Sequence, residues 1–418
     1  MVHKTDCKDE DFSTAFYFNV AVSIIIYIVL FFSAPIIANF YREPQLILLT
    51  RILSLNFILG SFNVVHQAKL TKSLNFKPLA VLSLITTSIG GMVGVVMAYM
   101  GFRVWALVAQ ALTATFLRVV IFPFFTKWHP NKPFNIRSFI YLWEYGSKIL
   151  ATGVVEVVIR NFSNILIGRY YNKEYVGYFS KGQDLADIPA TTMASVLGTV
   201  TFPMLSKIQN DKNRYTTIYN KVTYNTILIT FPVFFLLALL AKPIVILLLT
   251  EKWASCIVIL QVFLLARMFL PLNMINASVL QSMGATKLYM KLYFITGPLS
   301  LLAVVVSIPF GVVAMAWATL AYNVFYYVLF SIVVGRIIGC NFSKQLWALR
   351  YILLSLAIMT VSVLICIHWI SNMWLQLIIG VVMGGFIYPL CCKRFNLIDA
   401  DLKQMITSRM NVIVGNFL

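Results

Sequence analysis

Long apolar stretches alternate with short polar turns along the whole chain. A bilayer core needs about 20 apolar residues per helix, and twelve stretches reach that length. They run Thr14–Phe40, Leu46–Ala68, Leu79–Met100, Val104–Thr126, Lys148–Gly168 and Tyr175–Leu205. They continue Val222–Leu240, Ser255–Met283, Leu288–Pro309, Val312–Arg336, Trp347–Ile370 and Trp374–Cys392. The pattern predicts an all-α transmembrane protein of about 12 helices. Two pieces stand apart. PIVILLL after Lys242 is either a continuation of the seventh helix or an interfacial turn. SFIYLWEYGSK before Lys148 reads as an amphipathic lead-in on the membrane surface. Pro232, Pro271 and Pro309 either kink helices or mark their ends.

Composition agrees with this pattern. Hydrophobic residues make up 60% of the chain and charged residues 11%, against about 25% charged in soluble domains. Mean hydropathy is +0.85. No soluble fold of this length hides so much apolar surface.

The net charge of +19 does not point to nucleic acid, because the cations fall in the gaps between apolar stretches. Alternate gaps are the basic ones: Lys69, Lys72 and Lys77, then Lys127, Lys132 and Arg137, then Lys207, Lys212, Arg214 and Lys221. By the positive-inside rule these loops and both termini face the cytoplasm. The six cysteines show no zinc-ligand spacing and read as free thiols.

The chain also repeats itself. The segment starting at Asn63 matches the one starting at Asn273 at an offset of about 210 residues. Asn63 pairs with Asn273, Leu70 with Leu280, Lys77 with Lys287 and Gly101 with Gly311. Both copies share one orientation, so the repeat is parallel, about an axis along the membrane normal. This predicts two parallel-repeat bundles, an architecture of transporters. The first occupies 1–126 and is two helices short. A basic cytoplasmic linker follows at 127–147, then a complete six-helix bundle at 148–338. Two additional helices and a tail fill 339–418.

One segment is more specific: NKEYVGYFSKGQDLADIPATTMASVLGTVTFPMLSKIQND. It holds an aromatic step at Gly177, Tyr178 and Phe179, then Asp184 and Pro189, then Phe202, Pro203, Leu205, Ser206, Lys207 and Gln209. With EDFSTAFYFNVAVS, GFRVWALVAQAL, NVFYYVLF and the turn Thr250–Trp253, it resembles polysaccharide transporters of the lipopolysaccharide and teichuronic-acid flippase type. These belong to the multidrug/oligosaccharidyl-lipid/polysaccharide exporter superfamily. The resemblance spans essentially the whole chain. It implies flipping of polyprenyl-diphosphate-linked oligosaccharide units by alternating access in a bacterial inner membrane. Membrane lipids, and a polysaccharide polymerase among the assembly proteins, are the implied partners. Family members open with two helices ahead of EDFSTAFYF, so the resemblance, like the repeat, makes this chain N-terminally short by about two helices. An inactive remnant therefore stays open as a reading.

Ionisable groups inside a membrane are costly and mark function. Arg118, Arg160 and Arg51 are the first candidates for a diphosphate or an anionic sugar, since a guanidinium donates two parallel bonds. Arg267 and Glu156 complete the expected cavity set. Each has a plainer alternative. Glu156 and Arg160 lie four apart and are placed to pair with each other. Arg51 lies close enough to an outer helix end to reach the headgroups. Lys181, Asp184 and Asp187 fall near the outer end of the sixth helix, where hydration alone accounts for them. Glu156 and His66 are the candidates for proton or ion coupling, with His66 equally a packing residue.

No catalytic or metal constellation can be composed from four scattered histidines. No phosphate-binding loop is present either, so no cofactor is expected. A multidrug/cation antiporter of the same superfamily would want a buried carboxylate. A membrane-embedded glycan polymerase or ligase would want a large outer loop, and the outer loops here are short.

Overall fold

In a computed structural model, the chain is described over residues 9–73, 76–340, 347 and 349–397, apart from some side chains, Glu156 among them. All regular structure among these residues is helical. The chain separates into two compact units, Met1–Val157 and Val158–Leu418.

The first unit contains α1 (Asp9–Tyr41), α2 (Gln45–Leu53), α3 (Leu55–Lys72), α4 (Phe76–Tyr99) and α5 (Val104–Thr126). The helix α6 (Ile136–Tyr170) begins in this unit and ends in the second. The second unit continues with α7 (Lys173–Lys207), α8 (Lys212–Leu239), α9 (Ala241–Leu249), α10 (Cys256–Arg267) and α11 (Leu270–Ser282). It closes with α12 (Thr286–Ser307), α13 (Val312–Ile338), α14 (Arg350–His368) and α15 (Met373–Arg394).

Eleven helical stretches among the described residues are long and apolar enough to cross a membrane. The expected span Lys148–Gly168 is helical within α6 but is not one of the eleven. SFIYLWEYGSK is the first part of that same helix and not a separate lead-in. PIVILLL lies in α9, a helix of its own after a break at Leu240.

The surface explains the composition. Phe32, Ile36, Leu84, Met92, Phe124 and Trp369 all stand exposed. Such a surface is stable only where lipid replaces water, and there each backbone group needs an internal partner.

Prolines inside the helices test that requirement. Pro35 in α1 has no N–H to return to the carbonyl of Phe31. Arg51 supplies one: its Nε–H donates to that carbonyl at 3.3 Å, and its guanidinium lies 4.2 Å from the centre of the Phe31 ring. Pro232 in α8 likewise frees the carbonyl of Leu228, which accepts from the Tyr388 hydroxyl of α15 at 2.9 Å. Pro271 stands at the start of α11 and Pro309 in a short 3-10 turn, so both mark helix ends.

Small residues set the helix spacing. A Cβ on Gly90 of α4 would fall 3.0 Å from the Gln110 carbonyl oxygen of α5, and one on Gly94 would fall 2.9 Å from the Gln110 side chain. On α15, Gly380 and Gly384 admit Leu240 and Leu236 in the same way. Close backbone approach of this kind is what holds helices together in lipid.

The matched segments have matching structure. α3 ends at Lys72 and α11 at Ser282; α4 begins at Phe76 and α12 at Thr286. Gly101 and Gly311 both carry positive φ, +84° and +98°, in the turn before α5 and α13. The preceding span is broken in both units, at Ser54 between α2 and α3 and at Met268–Phe269 between α10 and α11.

The cores differ in size. The second unit packs Phe179, Phe234, Phe263, Phe330, Tyr215 and Tyr219 into one continuous cluster. Among the described residues the first unit has two small clusters, one around Phe12, Val65 and Trp128 and one around Leu70, Leu82 and Phe122.

Candidate functional site

Asn56, Gly60, Asn63 and Gln67 recur every three or four residues along α3, so they share one helix face. That face borders a cavity of about 400 Å³ in the first unit, together with Ser83 of α4 and Thr115 and Arg118 of α5. Amides and hydroxyls thus line one stripe of an otherwise apolar bundle.

The stripe is not satisfied by the protein itself. Oδ1 of Asn56 and Oδ1 of Asn63 are buried and have no hydrogen-bond partner, although such groups are nearly always paired. Arg118 is half-buried and donates from Nε to Thr86 Oγ1 at 3.3 Å. It has no ion pair among the described residues. An unneutralised guanidinium beside unmet carbonyl acceptors fits a ligand carrying both an anionic group and hydroxyls.

In the second unit the charges are arranged differently. Asp187 lies mid-way along α7 and is buried. Its Oδ2 accepts from Arg160 at 2.8 Å and its Oδ1 from Arg267 Nε at 2.5 Å. Arg267 stands in the last turn of α10, at the break before α11, with its guanidinium 5.8 Å from the centre of the Phe263 ring. Arg160 is the outer member, its side chain 56% exposed against 17% for Arg267. The cluster keeps a formal charge of +1, since two guanidinium groups share one carboxylate.

Several sequence expectations change here. Asp187 is not a hydrated outer-end residue, because α7 runs well past it in both directions and the packing of α10 covers it. Arg160 pairs with Asp187, while the side chain of Glu156 lies outside the described residues. Arg51 donates from Nε to the proline-freed carbonyl of α1.

His66 places Nδ1 2.6 Å from Thr126 Oγ1 and stacks on Phe122 at 6.0 Å and 11°. The Thr126 hydroxyl also reaches the Phe122 carbonyl at 3.2 Å. Donation there leaves its oxygen to accept from an Nδ1–H of His66. One ring nitrogen is therefore spent on joining α3 to α5.

Asn56, Ser83 and Thr115 were missed as site residues. Their signal was the polar stripe at helical spacing on α3, legible at Asn56, Asn63 and Gln67.

Residues 1–258 match the family described as polysaccharide biosynthesis protein. The chain is 24% identical over 358 residues to the teichuronic acid biosynthesis protein TuaB of Bacillus subtilis, covering 84% of this chain and 71% of that one. It is 25% identical over 389 residues to the succinoglycan biosynthesis transport protein ExoT of Rhizobium meliloti, covering 91% and 78%. The lipopolysaccharide biosynthesis protein WzxC of Escherichia coli is 22% identical over 263 residues, 62% of this chain and 54% of that one. Among solved structures, the lipid II flippase MurJ in its inward closed conformation shares the fold. The TM-score is 0.72 at 17% identity, over 93% of this chain and 84% of that one. A multi-pass helical membrane protein with these relatives and this fold is a member of the polysaccharide biosynthesis protein family, and this chain belongs to it.

Proposed function

We propose that this chain moves polyprenyl-diphosphate-linked oligosaccharide units from the cytoplasmic to the outer leaflet of a bacterial inner membrane. It does so by alternating access of its two helix bundles, and it serves the assembly of a cell-surface polysaccharide such as lipopolysaccharide O-antigen, capsule or exopolysaccharide. Both termini face the cytoplasm, and the protein is a transporter and not an enzyme. A polysaccharide polymerase acts next on the exported unit.

Arg118 carries this reading. A guanidinium held by one hydroxyl, in a cavity whose asparagine oxygens lack donors, offers a cation to phosphate or an acidic sugar and acceptors to sugar hydroxyls. Relatives named for polysaccharide biosynthesis and transport, and the fold of a lipid II flippase, supply the substrate class. Cation antiport is less well supported. Asp187, the buried carboxylate such a mechanism would use in the second unit, is already neutralised by Arg160 and Arg267.

The test is export in a strain deleted for its own polysaccharide flippase. The chain should restore surface polysaccharide, and Arg118→Gln should lower it at least tenfold at equal protein level. Arg118→Lys should recover only part, because a point charge replaces a planar fork. Full export with Arg118→Gln removes the site. Failure of the unaltered chain across strains with different glycans removes the function.

A further inference from the structure

We propose that a second cavity in the first unit binds the sugar-diphosphate head of a prenyl-linked glycan at the basic end of the bundle, before transfer begins; this rests on the transport reading above.

The cavity is about 400 Å³, within the range of small-molecule sites. It shares no lining residue with the Arg118 cavity. The two lie on neighbouring positions of α5: Arg118 and Phe122 line one, Val119 and Pro123 the other. The second opens where α3 and α5 end in Lys69, Lys72 and Lys127. A head group bound there is adjacent, across one helix, to the site proposed for the crossing.

Its walls are aromatic. Phe16, Phe62, His66 and Trp128 surround it, with Trp128 set edge-on to Phe16 at 6.0 Å and to His66 at 5.5 Å. Aromatic faces suit the apolar faces of a sugar ring and the first isoprene unit. Lys69, the cation nearest these rings, is already engaged. Its Nζ sits 5.5 Å from the Trp128 ring and 3.4 Å from Asp9.

The unmet polar groups define the ligand. Trp128 is 6% exposed, yet its Nε1–H has no hydrogen-bond partner. Pro123 has no N–H to offer the carbonyl of Val119, and both residues line the cavity. Lys127 and His129 are exposed at its rim, and neither has an ion pair among the described residues. A phosphate accepts from Lys127 at the mouth and, when the Trp128 ring turns toward the cavity, from its indole N–H. A sugar hydroxyl donates to the Val119 carbonyl. A ligand with anionic oxygens, hydroxyls and an apolar stem next to one another answers all three.

The turn carrying these groups is held in a costly conformation. Lys127 adopts φ +47°, in the left-handed region, and its N–H caps α5 on the Pro123 carbonyl at 2.8 Å. Such a conformation in a non-glycine residue persists only where the surroundings enforce it, and it concentrates at functional turns. Here it hangs Lys127, Trp128 and His129 in sequence around one cavity mouth.

The test uses the full chain in phosphatidylcholine nanodiscs. The probe is a prenyl-diphosphate N-acetylhexosamine carrying a diazirine on its prenyl chain. Crosslinks should map to the segments around Phe16 and 119–130. Lys127→Gln, an exposed substitution that leaves the core untouched, should raise the Kd about tenfold, as loss of one charge-assisted bond does. Trp128→Phe keeps an aromatic face, removes the N–H with part of the indole, and should weaken binding to a similar extent. Unchanged affinity in Lys127→Gln overturns the proposal. So does displacement of the probe by an equal concentration of dioleoyl phosphatidylglycerol, which would mark a general lipid contact, or by inorganic diphosphate alone. If Lys127-dependent binding holds while the chain moves no glycan lipid in proteoliposomes, the site stands and the transport reading falls. If transport occurs and binding ignores Lys127, the site falls alone.

Discussion

Arg51 donates its Nε–H to the carbonyl of Phe31, the carbonyl that Pro35 leaves without a helical partner. The pairing joins α2 to the middle of α1 and turns a membrane-embedded cation into a structural group. It yields a sharp expectation. Arg51→Leu should destabilise the protein by about 1–3 kcal/mol, the cost of a buried unsatisfied acceptor. In the same chain Pro35→Ala should recover much of that loss, because an alanine N–H returns to Phe31. Thermal unfolding of the two single variants and the double variant in detergent measures it. Strictly additive losses would mean the two residues are unrelated.

Asp187 is the second case in which a charged residue is explained by its partners. Removing its charge with Asp187→Asn strands Arg267, whose side chain is 17% exposed. Breaking a buried pair from one side costs on the order of 3 kcal/mol. Arg160, at 56% exposed, is the less enclosed partner and should contribute less to that loss. The expected order of melting temperatures is wild type, then Arg160→Gln close below it, then Asp187→Asn well below both. Adding Arg267→Gln to Asp187→Asn should raise stability again, since the stranded charge is gone.

These two clusters show what the sequence carried and what it did not. The helices were legible because about 20 apolar residues in a row have one physical solution in lipid. The repeat was legible from matched positions at one offset, among them Gly101 and Gly311, whose turns use positive φ. The breaks at Ser54 and at Met268–Phe269 were not visible, because no proline or glycine marks the first, and Pro271 reads as a kink as readily as a start. Arg118 stood out in the sequence as a membrane-embedded cation, and it lines the cavity of the first unit. The partners of Arg160 and Arg267 were not. Asp187 is distant from both in sequence, and only the packing of α6, α7 and α10 brings the three together.

Gly90 lets α4 and α5 approach closely. A Cβ there would press on the Gln110 carbonyl oxygen and on Ala114 Cβ, both at 3.0 Å, and backbone yields little. Gly90→Val should therefore push the helices apart and cost about 1–3 kcal/mol, as overpacking does. Gly91, with nothing within 4 Å, is the control. Gly91→Val should leave the melting temperature close to that of the wild type. Equal losses at both positions would mean that packing of α4 against α5 is not the cause.

Asn63 and Asn273 correspond in the repeat, and in both the side-chain oxygen is buried without a partner. A protein selected for stability alone would not keep such groups, since each costs about 1–3 kcal/mol when left unpaired. Asn63→Leu fills a similar volume without the polar atoms. It should hold the melting temperature level or raise it. If the oxygen is kept for substrate hydroxyls, export should nevertheless fall, and the two measurements should move in opposite directions. Asn63→Asp keeps the shape and adds a negative charge beside Arg118. The new carboxylate would compete with an anionic substrate for that guanidinium, so export should fall further than in Asn63→Leu. Export equal to wild type in both variants would assign Asn63 to packing and leave recognition to Arg118 and Asn56.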